Sequence, residues 1–189
     1  MCFICGLTGG RAASLLHRGN AEAESVFGTV GDDHLIGMQG DDTLRGGPGD
    51  DTIAGGLHND ALRGAGGDDV IRGGAGDDIV WGGRGDDRMF GGEGADRFVL
   101  SAGDWMGGPT RDVILDFEED DLIDLRAVSD DELVFIGEDG FSGAAGEVRI
   151  RHTNAGNTVV IVDADGDGSA DGRIVVKGST QVSVDDFLL

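Results

Sequence analysis

The sequence predicts an all-β protein, a parallel β-roll of short stacked coils followed by a C-terminal run of further β-strands. Three observations carry that expectation. Residues Gly28 to Val99 divide into eight nonapeptides, GTVGDDHLI, GMQGDDTLR, GGPGDDTIA, GGLHNDALR, GAGGDDVIR, GGAGDDIVW, GGRGDDRMF and GGEGADRFV, with glycine at position 1 and aspartate at position 6 in all eight. Position 8 is always apolar: Leu35, Leu44, Ile53, Leu62, Ile71, Val80, Met89 and Phe98. After Val99 the period stops, and RDVILDFEEDDLIDL, ELVFIG, GEVRIRHT and NTVVIVD read as strands.

A repeat of nine residues can bury its apolar face only against neighbouring copies, which is the mark of a solenoid. Each unit reads as a turn (positions 1–6) and a very short strand (positions 7–9). The turn glycines permit left-handed dihedrals, and alternation along the strand sends position 8 inward. Two units complete a coil of eighteen residues, so each unit stacks over the next but one. Upstream, Gly19–Phe27 (GNAEAESVF) fits the frame as a degenerate capping unit, with Glu24 at position 6 and Val26 at position 8. The expected organisation is an N-terminal tail over 1–27 that includes this unit, a roll over 28–99, and a β domain over 100–189. Met106–Pro109 is expected at the tip of the joining loop and Asn154–Asn157 at a hairpin turn. Trp81 and Phe90, at position 9 of adjacent units, are expected on opposite sheets and packed beneath the C-terminal domain, with exposed contact residues as the alternative.

The formal net charge is −23, from 37 acidic and 14 basic residues. That balance disfavours nucleic acid and anionic membrane surfaces and favours cations. Asp outnumbers Glu by 29 to 8, and short carboxylates suit ligation from tight turns. Eight buried apolar side chains are too few to order 72 glycine-rich residues, and stacked aspartates repel. A hard divalent cation between turns reverses that balance. Calcium accepts six to eight oxygens in forgiving geometry, whereas magnesium demands a tight octahedron and keeps its waters. The expected carboxylate ligands are Asp33, Asp42, Asp51, Asp60, Asp69, Asp78, Asp87 and Asp96. The turn glycines add backbone carbonyls: Gly28, Gly31, Gly37, Gly40, Gly46, Gly49, Gly55, Gly64, Gly67, Gly73, Gly76, Gly82, Gly85, Gly91 and Gly94. Four stacked turns per edge leave three gaps, hence about six Ca²⁺ in the roll. Asp32, Asp41, Asp50, Asp68, Asp77 and Asp86, at position 5, are expected to face outward and attract ions.

The nonapeptide resembles the RTX, or haemolysin-type, calcium-binding repeat. DVILDFEEDDLIDL, the loop DADGDGSAD and the ending DDFLL together resemble the C-terminal domain of serralysin-type metalloproteases. That resemblance implies a parallel β-roll continuing into a C-terminal β-sandwich, in a chain exported unfolded by a type I secretion machinery that reads Asp186-Phe187-Leu188-Leu189, and folded outside the cell. It also implies further calcium ligands at Asp112, Asp116, Asp121 and Asp124. In the loop, Asp163, Asp165 and Asp167 alternate as in an EF-hand, but Ile174 stands where the bidentate Glu belongs. Calcium-bound and simply solvated readings of this loop both stand.

The chain departs from the proteases where chemistry is concerned. None of His17, His34, His58 and His152 is followed by Glu, so no HExxH zinc motif exists. Cys2 and Cys5 form a lone CxxC without a second pair. The N-terminus is not expected to be a secretory signal, and no run of about 20 apolar residues suggests a membrane span. The expectation is a secreted, non-catalytic calcium-binding module. Alternatives are an accessory module, either detached from a serralysin-like protease or related to alginate-epimerase R-modules, and an adhesive surface component.

Overall fold

Position 8 builds the core. In the computed structural model, which describes residues 14–105, 110–129, 132–179 and 182–189, every position-8 side chain from Leu35 to Phe98 is no more than 1% exposed. The strands of the roll are β1 (Leu16–Arg18), β2 (Ser25–Phe27), β3 (His34–Gln39), β4 (Thr43–Pro48), β5 (Thr52–Leu57), β6 (Ala61–Gly66), β7 (Val70–Ala75), β8 (Ile79–Arg84), β9 (Arg88–Glu93) and β10 (Arg97–Ser101), and β3 to β10 carry these side chains. From β1 to β8 each pairs in parallel with the next but one at an offset of eighteen residues, as in Leu35↔Ile53 and Leu44↔Leu62, and β9 and β10 pair likewise with the first C-terminal strands at an offset of 25.

The strands exceed the three residues expected. From β3 to β9 each has six, taking in positions 1–3 of the following unit and leaving only positions 4–6 as the turn. Pairing skips position 1, passing from Ile36↔Ala54 to Met38↔Gly56. The side-chain-free glycine there lets two short ladders follow each other with a break between them. Position 2 must then adopt positive φ, as at Gly47 (120°) and Gly74 (129°), and Met38 (90°) and Ala65 (95°) are forced into the same region.

The C-terminal strands are β11 (Arg111–Ile114), β12 (Leu122–Ala127), β13 (Val134–Gly137), β14 (Glu147–His152), β15 (Thr158–Asp163), β16 (Gly172–Val176) and β17 (Phe187–Leu188). They extend the two sheets of the roll. One sheet runs β1-β3-β5-β7-β9-β11-β16-β15-β14-β13 and the other β17-β12-β10-β8-β6-β4-β2. The run β14-β15-β16 is antiparallel, with the expected hairpin turn at Asn154–Asn157 between β14 and β15. A single apolar cluster joins Ile71, Phe98, Ile114, Ile123, Val160, Ile174 and Phe187 across roll and sandwich. Trp105 packs so closely on Gly172 that a Cβ there would overlap the indole ring.

At the other end, Val26 of β2 pairs with Leu44, in the frame expected for Gly19–Phe27. Strand β1 adds a further half-coil that the sequence reading missed. Its inward residue is His17, in register with Leu35, and its Nε2 lies 3.0 Å from Glu24 Oε2. A polar pair therefore terminates the apolar line.

Trp81 and Phe90 do lie on opposite sheets, and an arginine of the preceding coil lies over each ring. The Arg63 guanidinium sits 3.7 Å from the Trp81 ring and that of Arg72 4.8 Å from Phe90. Trp81 Nε1 also donates to Asp104 Oδ2 at 3.0 Å. Cys2, Cys5 and Met106–Pro109 lie outside the described residues.

Candidate metal centre

Eighteen-residue stacking lines the position-6 aspartates into two buried columns. One contains Asp33, Asp51, Asp69 and Asp87, and the other Asp42, Asp60, Asp78 and Asp96. All eight are at most 3% exposed. Each column is threaded by one hydrogen bond per coil, in which the backbone N–H of one aspartate donates to Oδ1 of the next. The distances are 2.7 Å for Asp33→Asp51, Asp51→Asp69, Asp42→Asp60 and Asp60→Asp78, and 2.9 Å for Asp69→Asp87 and Asp78→Asp96.

The second oxygen is left over. Oδ2 of Asp42, Asp51, Asp60, Asp69, Asp78, Asp87 and Asp96 is buried with no hydrogen-bond partner. Seven such atoms would be costly in any folded protein, and more so as ionised carboxylates. Each faces the position-1 glycine of its own unit. A Cβ at Gly37, Gly46, Gly55, Gly64, Gly73, Gly82 or Gly91 would overlap the carboxylate. At Gly37, Gly64 and Gly73 the carbonyl oxygen of the next coil's position-1 glycine (Gly55, Gly82 and Gly91) closes on the same spot. Asp33, at the column end, instead accepts at Oδ2 from Thr29 N–H at 2.5 Å, and Gly28 stands beside it.

Burial is the chief cause of raised carboxyl pKa values here. It takes Asp51, Asp60 and Asp96 to about 6, Asp78 and Asp87 to about 7, and Asp69 to about 8. The N–H bond along the column opposes the rise and the neighbouring aspartates add to it. The folded columns therefore hold protons at pH values where the unfolded chain, near 3.8, has lost them. Stability from this source is fully present below about pH 4 and is lost as pH rises through 6 to 8. Metal-free protein is accordingly expected to be more ordered at pH 5 than at pH 8 by circular dichroism, and metal uptake at pH 7 to release protons.

The donor set fits a hard divalent cation. It consists of carboxylate and carbonyl oxygens, without nitrogen or sulfur, repeated in a buried row with its anionic charge uncompensated. Calcium suits it best, because successive coils supply oxygens without an enforced octahedron.

The glycines at position 4 serve the stacking. Gly40, Gly49, Gly67, Gly76, Gly85 and Gly94 have φ between 103° and 135°, and each rests on backbone of the preceding coil, as Gly49 does on Gly31. His58 takes this position at φ 78° and accepts from Gly40 N–H through Nδ1 at 3.0 Å.

Position 5 faces outward as expected, but it also builds a second ladder that the sequence reading missed. Backbone N–H groups of Asp50, Asp68 and Asp86 donate to Oδ1 of Asp32, Asp50 and Asp68 at 2.9–3.0 Å. On the other edge a matching ladder passes through the uncharged Asn59, whose N–H donates to Asp41 Oδ1 at 3.2 Å and whose Oδ1 accepts from Asp77 N–H at 3.0 Å.

The C-terminal aspartates divide. Asp112 Oδ1 accepts from Asp87 N–H at 3.1 Å and Asp121 Oδ1 from Asp96 N–H at 2.9 Å, so each extends one column by a coil. Burial and then the charge of Asp87 push Asp112 up to about 8. Asp116 accepts from Gly91 N–H at 3.0 Å, beside a column and not in it. Asp124 is held otherwise than the family resemblance implied. Arg126 grips both its oxygens at 2.9 and 2.6 Å, and that bond holds its carboxyl below the usual range. In the 163–171 loop the carboxylates of Asp163, Asp165 and Asp171 converge within 4.8 Å. Asp167 turns instead to Ser169 N–H at 2.7 Å, and Asp171 was not among the expected ligands.

Residues 18–98 match, in the spans 18–53, 27–62, 36–71, 54–89 and 63–98, the family model of the RTX calcium-binding nonapeptide repeat (4 copies). No curated protein matches the chain in sequence. Similar solved structures include the AlgE6R3 subunit of the Azotobacter vinelandii mannuronan C5-epimerase, at 25% identity and TM-score 0.46, covering 90% of this chain and 80% of that one. The AlgE6R2 subunit of that epimerase is similar at 26% identity and TM-score 0.44, covering 90% and 92%. The extracellular lipase LipA from Serratia marcescens is similar at 16% identity and TM-score 0.37, covering 96% and 40%. No helix among the described residues is long and apolar enough to cross a membrane.

Proposed function

We propose, for a chain whose residues 18–98 are RTX calcium-binding nonapeptide repeats, that the protein is a calcium-driven folding module that acts by binding and not by catalysis. The seven partnerless Oδ2 atoms carry this reading, because a bound cation is what makes their burial tolerable. Asp42, Asp51, Asp60, Asp69, Asp78, Asp87 and Asp96 would hold the ions, with turn carbonyls completing the shells. Seven orphan oxygens suggest seven ions where counting gaps suggested six. Bound calcium would supply the positive charge that keeps the columns ionised and the coils together.

Extracellular calcium modules bind at about 10⁻⁴–10⁻³ M, a range that external calcium saturates and cytosolic calcium does not. Folding and binding are then one event, and the chain stays open inside the cell and closes outside it. The proposed type I export signal at Asp186–Leu189 accords with that order. In the fold Phe187 is buried and pairs with Ile123, so an exporter could read this end only before folding. Circular dichroism is expected to show a coil in chelator at pH 7.5 and a β spectrum in millimolar calcium. Native β content in chelator would refute the coupling.

A further inference from the structure

Beyond the repeats, the outer face of the C-terminal sheet carries a concentration of positive charge that the metal columns do not explain. Arg111 of β11 and Arg173 of β16 are register partners, and Arg149 and Arg151 lie on β14 across the intervening β15. These are four of the chain's thirteen arginines, in a molecule of net charge −23. None of the four pairs with a carboxylate among the described residues. Between them runs a small apolar cluster separate from the main core, made of Val159, Ile161 and Val175 with Val113, Phe141 and Ala170 against it.

A cleft of about 320 Å³ opens here, lined by Thr110, Arg111, Arg151, Val159, Arg173 and Val175. Its volume holds about ten water-sized groups. Two polar atoms on this face are buried and unsatisfied, Thr110 Oγ1 in the cleft wall and Arg149 Nε alongside, where the Arg149 guanidinium stacks 4.7 Å from Phe141. Neighbouring cations without counter-ions, a buried hydroxyl without a partner and a valine floor are all relieved by one kind of occupant. An oxyanion satisfies the guanidiniums and the hydroxyl, and an apolar body covers the valines. The strongly negative molecule repels a dianion more than a monoanion, which favours carboxylate over phosphate or sulfate.

We infer that this cleft binds an organic monocarboxylate, with its carboxylate held by Arg111, Arg151 and Arg173 and its apolar body on Val159 and Val175. The site does not depend on how many ions the repeats take up. It requires only that the chain be folded, which circular dichroism of the calcium-loaded sample establishes separately.

Calorimetric titration of the folded, calcium-loaded chain with octanoate tests the inference, with octanol and inorganic sulfate as comparisons. Saturable octanoate binding is expected, stronger than that of either comparison. R151Q and R173Q, which keep most of the side-chain stem, are each expected to weaken it about tenfold while the β spectrum stays unchanged. Thr110→Val is expected to weaken it less. No saturable octanoate binding by the folded chain would overturn the inference. So would equal binding of octanol, sulfate binding as tight as octanoate, or indifference to both arginine variants.

Discussion

Gly67→Ala is expected to disable the roll, while Ala65→Gly, two residues away, is expected to strengthen it. Gly67 holds φ 124°, and a Cβ there would overlap the Gly49 carbonyl of the coil below. The backbone strain alone costs about 1–2 kcal/mol. Overpacking against an immobile peptide adds about 1–3 kcal/mol, and the displaced coil no longer presents its column carboxylate. Ala65 already bears that strain at φ 95°, at the position where other units have Gly47, Gly74 and Gly92. Removing its methyl group should therefore return about 1 kcal/mol. Thermal melting in saturating calcium reads both changes, and equal destabilisation by the two variants would contradict the stacking argument.

Asp69→Asn is expected to change sign with calcium. Asp69 sits mid-column, donating its N–H to Asp87 Oδ1 and accepting at Oδ1 from Asp51 N–H. An asparagine keeps that ladder bond but surrenders the ionised Oδ2. At a free calcium level 100 times the dissociation constant, losing one site removes about 2.7 kcal/mol of stabilisation. Without calcium the same change removes a buried carboxyl whose pKa stands at about 8 and which Asp87 and Asp51 repel. The variant should then be the more stable protein at pH 8. Melts of wild type and variant in calcium, and the β signal that each retains in chelator at pH 8, give the crossing. A variant that is weaker under both conditions would assign Asp69 a purely structural role.

Much of this arrangement was legible from the nonapeptide alone, because period nine with an inward position 8 permits only one stacking. Leu35, Leu44 and their successors fall at the core, and the position-6 column follows from the same arithmetic. The length of the strands was not legible. Glycines at positions 1 and 2 read as turn residues, yet pairing breaks only at position 1 and resumes at positions 2 and 3, where positive φ at position 2 brings the backbone back into a ladder. The position-5 ladder was hidden because Asp32 and Asp50 are exposed, and exposure suggested solvent and not a hydrogen bond to the next coil. The grip of Arg126 on both oxygens of Asp124 was not legible from the family resemblance, which implied that residue only as an ion ligand. His17 was missed because a histidine at position 8 breaks the apolar pattern by which the frame was recognised. Asp171 was missed because the loop reading followed EF-hand spacing, whereas the observed loop folds back through Asp163 and brings the two carboxylates together.

The most direct test of the account is isothermal titration of calcium into metal-free protein at pH 7.5, with the released protons counted in two buffers of different ionisation enthalpy. The account predicts about seven ions per chain, one for each orphan Oδ2, taken up with proton release and with the appearance of β structure. Uptake of one or two ions confined to the 163–171 loop, with the roll already folded, would contradict it.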